Sequence, residues 1–540
     1  MASRRLPSNF SLGGPDGEVD PLLLECFVDT GDFSTAVQRD DHHRFLIGRT
    51  GAGKSSIFRK LAVDYENRVV VLHPSDLAFQ YIINVQAVDE LVKHGVQLDA
   101  FFKALWKHII LCTLARHRYK DPTPETRRTL SDRLFRRAAE HTGKRRAEEY
   151  LDAYANTFWQ ETDEHIRNEV DTLSKSVRAQ AKVGGDAVGV GASAGADASE
   201  QHEVSRELKE RYQRIVNDAI LQQPAFEEFA EEILESEHHF VYLVIDDLDT
   251  TMVDDRVGNV LIRSLLHVVL DLRRVQYLKV LVGLRTNIFD QLHIGSRRRG
   301  GQEEKLRGGA LHLTWTRADL EKVVEERLHA ASRKKKLGRV FRLSDVLPDR
   351  PEDGKDALSY ILDRTLMRPR NLVNFLNLCL RMSTGKQRIS WEVIHAVEPG
   401  YSQNRLDALR DEWNDPYFDI FRLFDQFRGA PRQMERRQLQ IILENIALLR
   451  EDDRFQGKLW LTPPCDAIWN ASQTIDWGEQ FGELAELLFD IGLLGFALDG
   501  VGPVVFGCDS PQVDPVVLRG ASTKAVFAVH PTFHQALSII

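Results

Sequence analysis

Near the start of the chain, a lysine and a serine directly follow a group of glycines. The stretch IGRTGAGKSSIF (47–58) contains Gly48, Gly51, Gly53, Lys54 and Ser55. Glycines at this spacing let successive backbone N–H groups face one point, and a helix that begins after them adds its partial positive charge, so an anion is expected there. An ammonium group at the position of Lys54 suits the β- and γ-phosphates of a nucleotide, and the Ser55 hydroxyl suits Mg²⁺.

The residues around this loop have the pattern of a strand before it and a helix after it. HHRFLIG ends in an apolar run at Gly48, and SSIFRKLAVDYE places Ile57 and Leu61 four positions apart. The next stretch, RVVVLHP (68–74), predicts a second strand, buried on both faces. This context favours a Walker A loop over a glycine-rich turn that matches by chance. The predicted nucleotide-binding residues in the loop are Gly48, Arg49, Thr50, Gly51, Ala52, Gly53, Lys54, Ser55 and Ser56.

Two adjacent carboxylates follow a second apolar run, FVYLVIDDLD (240–249). This pattern predicts a central buried strand that carries Asp246 and Asp247 to its C-terminal end, where parallel sheets bind ligands. Asp246 is expected to hold Mg²⁺, and Asp247 to orient and polarise the attacking water. The alternative for the pair is a strand that ends in a polar turn. Asp249 either supports the metal shell or caps a helix.

A third apolar run, LKVLVGLRTN (278–287), also ends in polar residues. Arg285, Thr286 and Asn287 are expected at the same edge of the sheet, and Asn287 is the residue chosen to contact the γ-phosphate or the attacking water. The predicted catalytic residues are therefore Lys54, Asp247 and Asn287, and a short strand within LHLTW (311–315) is expected to complete the sheet.

Two arginines flank a proline downstream, in LMRPRNLVNFLNLCL (366–380). Pro369 is predicted to start a helix, because its fixed φ suits the first helical position. Arg368 and Arg370 are candidates for contact with bound nucleotide, since a guanidinium group can bind phosphate with two hydrogen bonds. The alternative is a surface salt bridge.

The C-terminal part, residues 416–540, has helical patterns followed by two β-rich runs, GPVVFGCDS (502–510) and KAVFAVHPTF (524–533). Helices followed by a hairpin predict a winged-helix domain. Its best-formed helix, WGEQFGELAELLFDIGLLGF (477–496), has an acidic stripe that contains Glu479, Glu483 and Glu486. Since acids repel DNA phosphates, this domain is expected to contact protein.

Composition is that of a globular protein with several domains, at 43% hydrophobic and 28% charged residues. No apolar run reaches the length of about 18 residues that a membrane span needs, and no signal peptide is recognisable, which predicts a cytoplasmic protein without membrane contact. The cysteines are scattered, which predicts small buried side chains and neither a zinc site nor a disulfide framework. A net charge of −9 argues against general coating of nucleic acid.

Two stretches of unusual composition lie between the Walker-type runs. Helical patterns on both sides of the Gly/Ala-rich segment 183–200 predict a helical insertion at about 76–238, with 183–200 as a flexible loop. Residues 127–146 hold eight lysines and arginines against two acids. They form a solvated helical face, a nucleic-acid site or an interface with an acidic partner.

Downstream of the Walker-type runs, the stretch 295–305 predicts an exposed basic loop. Its three arginines, Arg297, Arg298 and Arg299, either supply an arginine finger to a neighbouring subunit or form a solvated turn.

The runs GRTGAGKS, LVIDDLD, LRTNIFDQL, LHLTW and RPRNLVNFLN, in this order, resemble the STAND and origin-recognition-like AAA-type P-loop ATPases, and in particular bacterial ATPases of antiphage defence. The resemblance spans residues 25–540. It implies an α/β fold of the ASCE type with a five-stranded parallel sheet, ATP and Mg²⁺ as ligands, and Asn287 and the Arg368–Arg370 pair as sensors. The implied domains are an N-terminal segment 1–41, an ATPase core 42–316, a helical lid 317–415 and a winged-helix-like domain 416–540.

Two functions fit these features. The first is a regulatory ATPase whose conformation or assembly controls a partner effector in antiphage defence, with homo-oligomers formed through the ATPase domains. The alternative is an ATPase that loads or remodels nucleic acid, which would bind through residues 127–146.

Overall fold

The computed structural model describes most of the chain. The described residues are 5–14, 17, 19–73, 98–119, 142–154, 226–234, 236–248, 255–294, 302–337, 339–414, 416–455, 460–469, 476–500, 502–508, 510 and 513–540. Several predictions fall outside these ranges: the flexible loop 183–200, most of the basic stretch 127–146, Asp249, and the three arginines 297–299.

The described strands form two sheets. Their bounds are β1 (Phe45–Ile47), β2 (Val69–Leu72), β3 (Val241–Ile245), β4 (Leu278–Leu284), β5 (Ala310–His312), β6 (Met434–Glu435), β7 (Leu494–Ala497), β8 (Val505–Phe506) and β9 (Val526–Val529). The first sheet is parallel, has five strands and follows the order β2-β3-β4-β1-β5. The second is antiparallel, with the order β6-β9-β7-β8. The chain is therefore an α/β protein with a five-stranded parallel sheet, as predicted.

Helices make up most of the remaining described structure. They are α1 (Asp32–Val37), α2 (Lys54–Asp64), α3 (Asp99–Tyr119), α4 (Thr142–Tyr154), α5 (Phe226–Leu234), α6 (Asp255–Asp271), α7 (Thr286–Ile294), α8 (Gln302–Gly308), α9 (Arg317–Lys334), α10 (Leu343–Val346), α11 (Ala357–Leu362), α12 (Pro369–Met382), α13 (Trp391–Trp413), α14 (Phe421–Asp425), α15 (Arg436–Leu448), α16 (Thr462–Trp469), α17 (Trp477–Gln480) and α18 (Gly482–Asp490). Among the described helices, none is both long and apolar enough to cross a membrane.

The chain divides into two compact units. One, called the sheet unit, consists of Asp32–Ile47 and Leu61–His312 and holds the parallel sheet. The other, called the loop unit, consists of Met1–Gly31, Gly48–Lys60 and Leu313–Ile540. The domain boundaries expected from the sequence stay predictions, although the parts of the insertion 76–238 that the structure describes are mainly helical.

In the sheet unit, the two central apolar runs form the strands that the sequence predicts. All residues of β3 and β4 are buried, because each strand has a strand on either side and helices pack against the sheet. The prediction for β2 is wrong in one respect: this strand is not buried on both faces. Within the described residues it pairs with β3 alone, and Val71 is 42% exposed.

The parallel register aligns the C-terminal ends of neighbouring strands. Leu72 of β2 lies opposite Ile245 of β3, and Ile245 lies opposite Val282 of β4. The residues after these strands therefore leave the sheet at one edge, as expected for a ligand-binding edge of a parallel sheet.

Two predicted helix features are found, together with one helix cap that the sequence analysis did not predict. Ile57 and Leu61 both lie on the buried side of α2, which spans the unit boundary. Thr316 caps α9 by accepting a hydrogen bond from the backbone N–H of Asp319. Pro369 occupies the first helical position of α12.

Three predictions about local structure are wrong. The helix expected over 477–496 breaks at Phe481 and ends at Asp490, and the residues that follow form β7. The β-rich runs 502–510 and 524–533 do not pair with each other, because β7 lies between β8 and β9. Part of the exposed loop expected at 295–305 is helical, since α8 begins at Gln302.

Candidate functional site

The glycine-rich loop leads from Ile47, the last residue of β1, to Lys54, the first residue of α2. Gly51 and Gly53 have φ of 80° and 110°, which side-chain-bearing residues rarely adopt. Lys54 Nζ donates a hydrogen bond to the carbonyl oxygen of Gly48 at 2.7 Å. The lysine side chain therefore folds back along the loop, and its ammonium group lies beside the loop backbone.

Ser55 and Ser56 lie in the first turn of α2, where backbone N–H groups lack acceptors within the helix. Trp315 contacts the same loop, because its Nε1 donates to the carbonyl oxygen of Ala52 at 2.7 Å. Sequence reasoning did not identify Trp315. It is the last residue of LHLTW. Its contact with the loop is visible only in the structure, where this run lies close to the loop.

Arg370 packs against the loop at Gly51. A methyl group at Gly51 would lie 2.8 Å from Cβ and 3.0 Å from Cδ of Arg370, so this position needs glycine for space as well as for its φ. The aliphatic part of the Arg370 side chain therefore packs on the loop. The predicted contact between Arg370 and nucleotide stays a prediction.

Arg368 also contacts the loop, from a strained turn. Leu366 and Met367 have φ of 53° and 49°, and this turn sets Arg368 as the residue before α12. Arg368 Nη1 donates to the carbonyl oxygen of Thr50 at 3.3 Å and to Glu412 Oε2 at 3.2 Å. Its Nε and Nη2 are buried and have no hydrogen-bond partner in the described part of the chain. Arg368 is therefore not the surface salt bridge of the alternative interpretation.

Arg49 joins the loop to the end of α18. Its guanidinium group donates to the carbonyl oxygens of Ile491, at 3.1 Å, and Asp490. These carbonyls lie at the helix C-terminus, where a cation is favoured. Gly492 follows with φ of 86°, and a methyl group there would lie 2.5 Å from Arg49 Nη1. Burial lowers the pKa of Arg49, and an arginine still remains protonated at neutral pH.

This contact predicts that the stability effects of Gly492→Ala and Arg49→Ala depend on each other. Alanine at position 492 is expected to cost about 1–3 kcal/mol of the free energy of unfolding from its positive φ, plus the clash with Arg49. Removing the guanidinium group relieves the clash, so the cost of Gly492→Ala should fall by roughly 1 kcal/mol in an Arg49→Ala background. Urea unfolding of both single variants and the double variant measures this difference.

Gly429→Ala is the matched control, because Gly429 has φ of 75° and no atom within 4 Å of the added methyl group. Its cost should be the same with and without Arg49. Equal costs of Gly492→Ala in the two backgrounds would contradict the contact.

In the sheet unit, the acid pair follows β3 as predicted. Asp246 is buried, with 8% of its surface exposed, and Asp247 is half-buried with φ of 58°, a left-handed conformation that is uncommon for a residue with a side chain. Asn287 is buried in the first turn of α7, directly after β4.

On the other side of β3, His73 follows β2, and its Nδ1 lies 4.0 Å from Asp247 Oδ2. His73 is a second residue that sequence reasoning did not identify, although it directly follows the apolar part of RVVVLHP.

Asp41, His42 and His43 bring possible metal-ligand atoms within 4.8 Å of one another in the sheet unit. Asp41 Oδ1 already accepts the backbone N–H of His43 at 2.7 Å. Arg44 donates to the carbonyl oxygen of His43, and Arg273 to that of His42. Since two guanidinium groups lie beside it, this cluster is poorly suited to a cation.

The charged surfaces predicted from the sequence make ion pairs where the structure describes them. Arg145 lies 3.4 Å from Glu149, and Arg146 lies 2.7 Å from Glu232. In the C-terminal acidic stripe, Glu486 accepts a hydrogen bond from Arg519. These pairs lower the net charge that each surface presents to a partner.

Part of the chain is similar to a known protein family. Residues 318–410 match a family model described as a FunZ-associated C-terminal helical domain. No curated protein matches the chain. The matched segment begins at the second residue of α9, ends within α13 and contains Arg368 and Arg370, both of which contact the glycine-rich loop.

Proposed function

We propose that this protein is a P-loop ATPase that binds and hydrolyses ATP with Mg²⁺. The observation that carries the proposal is the conformation of residues 48–54, in which two glycines adopt positive φ and Lys54 folds back onto the loop. Backbone N–H groups held by such a loop, together with the N-terminus of α2 and one ammonium group, suit the phosphates of a nucleotide.

The acid pair supports hydrolysis in addition to binding. Asp246 is a buried carboxylate at the C-terminal edge of a parallel sheet, which suits a ligand of Mg²⁺. Asp247 is more exposed and suits a group that polarises water. Asn287, from the neighbouring strand end, would contact the γ-phosphate or that water. ATP and Mg²⁺ are the ligands that this set of side chains fits.

The hydrolysis is proposed to switch conformation or assembly and thereby control a partner effector. Arg49 and Arg368 bond the loop to the end of α18 and to Glu412 of α13, so a rearrangement of the loop changes contacts in the C-terminal region of the same unit. The motif resemblance given above is the basis for the remaining parts of this proposal. These are the setting in bacterial antiphage defence, the homo-oligomer, the helical lid and the winged-helix-like domain.

Mass photometry of the full chain with Mg²⁺ and either ATP or ADP tests this switch. Larger assemblies are expected with ATP and not with ADP, while Lys54→Ala should stay in the ADP-like distribution under both conditions. If the distributions are identical with both nucleotides, and ATP hydrolysis is instead stimulated by DNA or RNA in a salt-dependent way, the nucleic-acid-remodelling function is favoured.

A further inference from the structure

A cavity of about 550 Å³ lies in the loop unit, between the N-terminal segment and the C-terminal end of α9. Its lining combines two buried apolar residues, Leu22 and Ala331, with two exposed lysines, Lys334 and Lys335. Sites for small molecules have volumes of roughly 300–1,000 Å³ and a mainly apolar lining with a few polar groups. None of the candidate nucleotide-binding residues described above lines this cavity.

The N-terminal wall of the cavity is held in place by a buried ion pair. Arg327 of α9 donates from Nη1 to Asp20 Oδ2 at 2.7 Å and to the carbonyl oxygen of Leu12 at 2.6 Å. Asp20 Oδ1 in turn accepts the backbone N–H groups of Gly14 and Leu22, and both of these residues line the cavity. Because these bonds already order the wall, a ligand would lose little affinity to ordering of the chain.

The two lysines belong to a run of four cations at the end of α9. The first, Arg333, lies 2.6 Å from Glu25. The next three, Lys334, Lys335 and Lys336, are exposed, and in the described part of the chain none of them forms an ion pair. The end of a helix favours cations, but three adjacent ammonium groups also repel one another. A ligand with a multiply charged anionic group, such as a phosphate, relieves this repulsion, and lysine binds phosphate well as a point charge.

We propose that this cavity binds a phosphorylated small molecule with an apolar body, at a site separate from the glycine-rich loop. The phosphate would lie beside Lys334 and Lys335, and the apolar part against Leu22 and Ala331. Helix α9 has 18 residues and is therefore about 27 Å long. Trp315, just before this helix, contacts the glycine-rich loop, whereas the lysines lie at the opposite end. The site therefore does not depend on the proposed ATPase function.

Calorimetric titration of the full chain with phenyl phosphate tests this site, because the probe joins one phosphate group to one apolar ring. Saturable binding is expected, and it should be tighter than that of inorganic phosphate or of phenol, each of which offers only part of the contacts. The double variant Lys334→Gln/Lys335→Gln should weaken binding by about 10-fold or more, since hydrogen bonds between charged groups are lost.

Lys322→Gln/Lys386→Gln is the matched control. It removes the same charge from two exposed lysines of the loop unit that do not line the cavity, so its affinity for phenyl phosphate should equal that of the wild type. ATP affinity should be unchanged in both double variants, so a failure of this proposal is distinguishable from a failure of the ATPase function. Should the first double variant fail to fold, Lys335→Gln alone gives the comparison.

Three results would overturn the proposal. The first is the absence of saturable binding of phenyl phosphate to the wild type. The second is binding that Lys334→Gln/Lys335→Gln leaves unchanged and Lys54→Ala removes, because the probe would then lie at the glycine-rich loop. The third is salt-dependent binding of a DNA duplex through Lys334 and Lys335 without binding of phenyl phosphate, which would assign the lysines to a nucleic-acid backbone.

Discussion

Replacing Lys54 with alanine is expected to remove measurable ATP binding. Lys54 is the first residue of α2, and its ammonium group lies beside the loop backbone at 2.7 Å from the Gly48 carbonyl oxygen. A bound triphosphate would exchange this carbonyl for charged phosphate oxygens, and hydrogen bonds to charged groups contribute roughly 1.5–3 kcal/mol each. Loss of two such contacts corresponds to at least about 100-fold weaker binding. Isothermal titration calorimetry with Mg²⁺ and ATP measures the change.

Lys60→Ala is a suitable control, because Lys60 lies on the same helix and its removal changes the net charge by the same amount. Its ATP affinity should stay close to that of the wild type. Unchanged affinity in Lys54→Ala would mean that the loop does not hold phosphate, and the proposed function would fail with it.

The sequence was informative wherever a local pattern determines the structure. The apolar runs before Asp246 and before Arg285 predict β3 and β4, because a strand buried on both faces requires an uninterrupted apolar run. Pro369 predicts the start of α12 through its fixed φ. The positions of Gly51 and Gly53 follow from the positive φ angles that the loop needs there. Each of these features depends on only a few consecutive residues.

Other features depend on residues that are far apart in the sequence. Arg49 is an unremarkable position in the loop pattern, and its partners lie at the end of α18, 441 and 442 positions later. The exposure of β2 follows from its place at the end of the strand order, which its own run of valines does not reveal. The helical period over 477–496 also continues through residues that instead pair with β9 as strand β7. In each case tertiary contacts outweigh local preference.

The contact between His73 and Asp247 belongs to this second group. The histidine is visible in the sequence at the end of an apolar run, but nothing in that run indicates which strand lies next to it. Only the parallel pairing of β2 with β3 brings its imidazole ring to the acid pair. Residues at the ends of neighbouring parallel strands are therefore worth examining even when they match no motif.

Asp247→Asn is expected to separate ATP binding from hydrolysis. The amide keeps the size of the side chain and removes its ability to accept a proton, so ATP affinity should stay near the wild-type value while kcat falls by about 10² to 10⁴. Asp246→Asn should act differently: because Asp246 is the proposed ligand of Mg²⁺, its replacement is expected to weaken the response of ATP binding to Mg²⁺ as well as turnover.

Asp271→Asn serves as the charge-matched control for this pair, since Asp271 is an exposed acid at the end of α6 in the same unit. It should leave kcat and ATP affinity unchanged. Calorimetry with and without Mg²⁺, together with single-turnover hydrolysis, distinguishes the two aspartates because only one of them is expected to alter metal dependence. If Asp247→Asn hydrolyses ATP at the wild-type rate, another group activates the water. If Asp247→Asn loses ATP binding along with turnover, the carboxylate is required in the ground state, and its place in the mechanism moves from the attacking water to the metal shell.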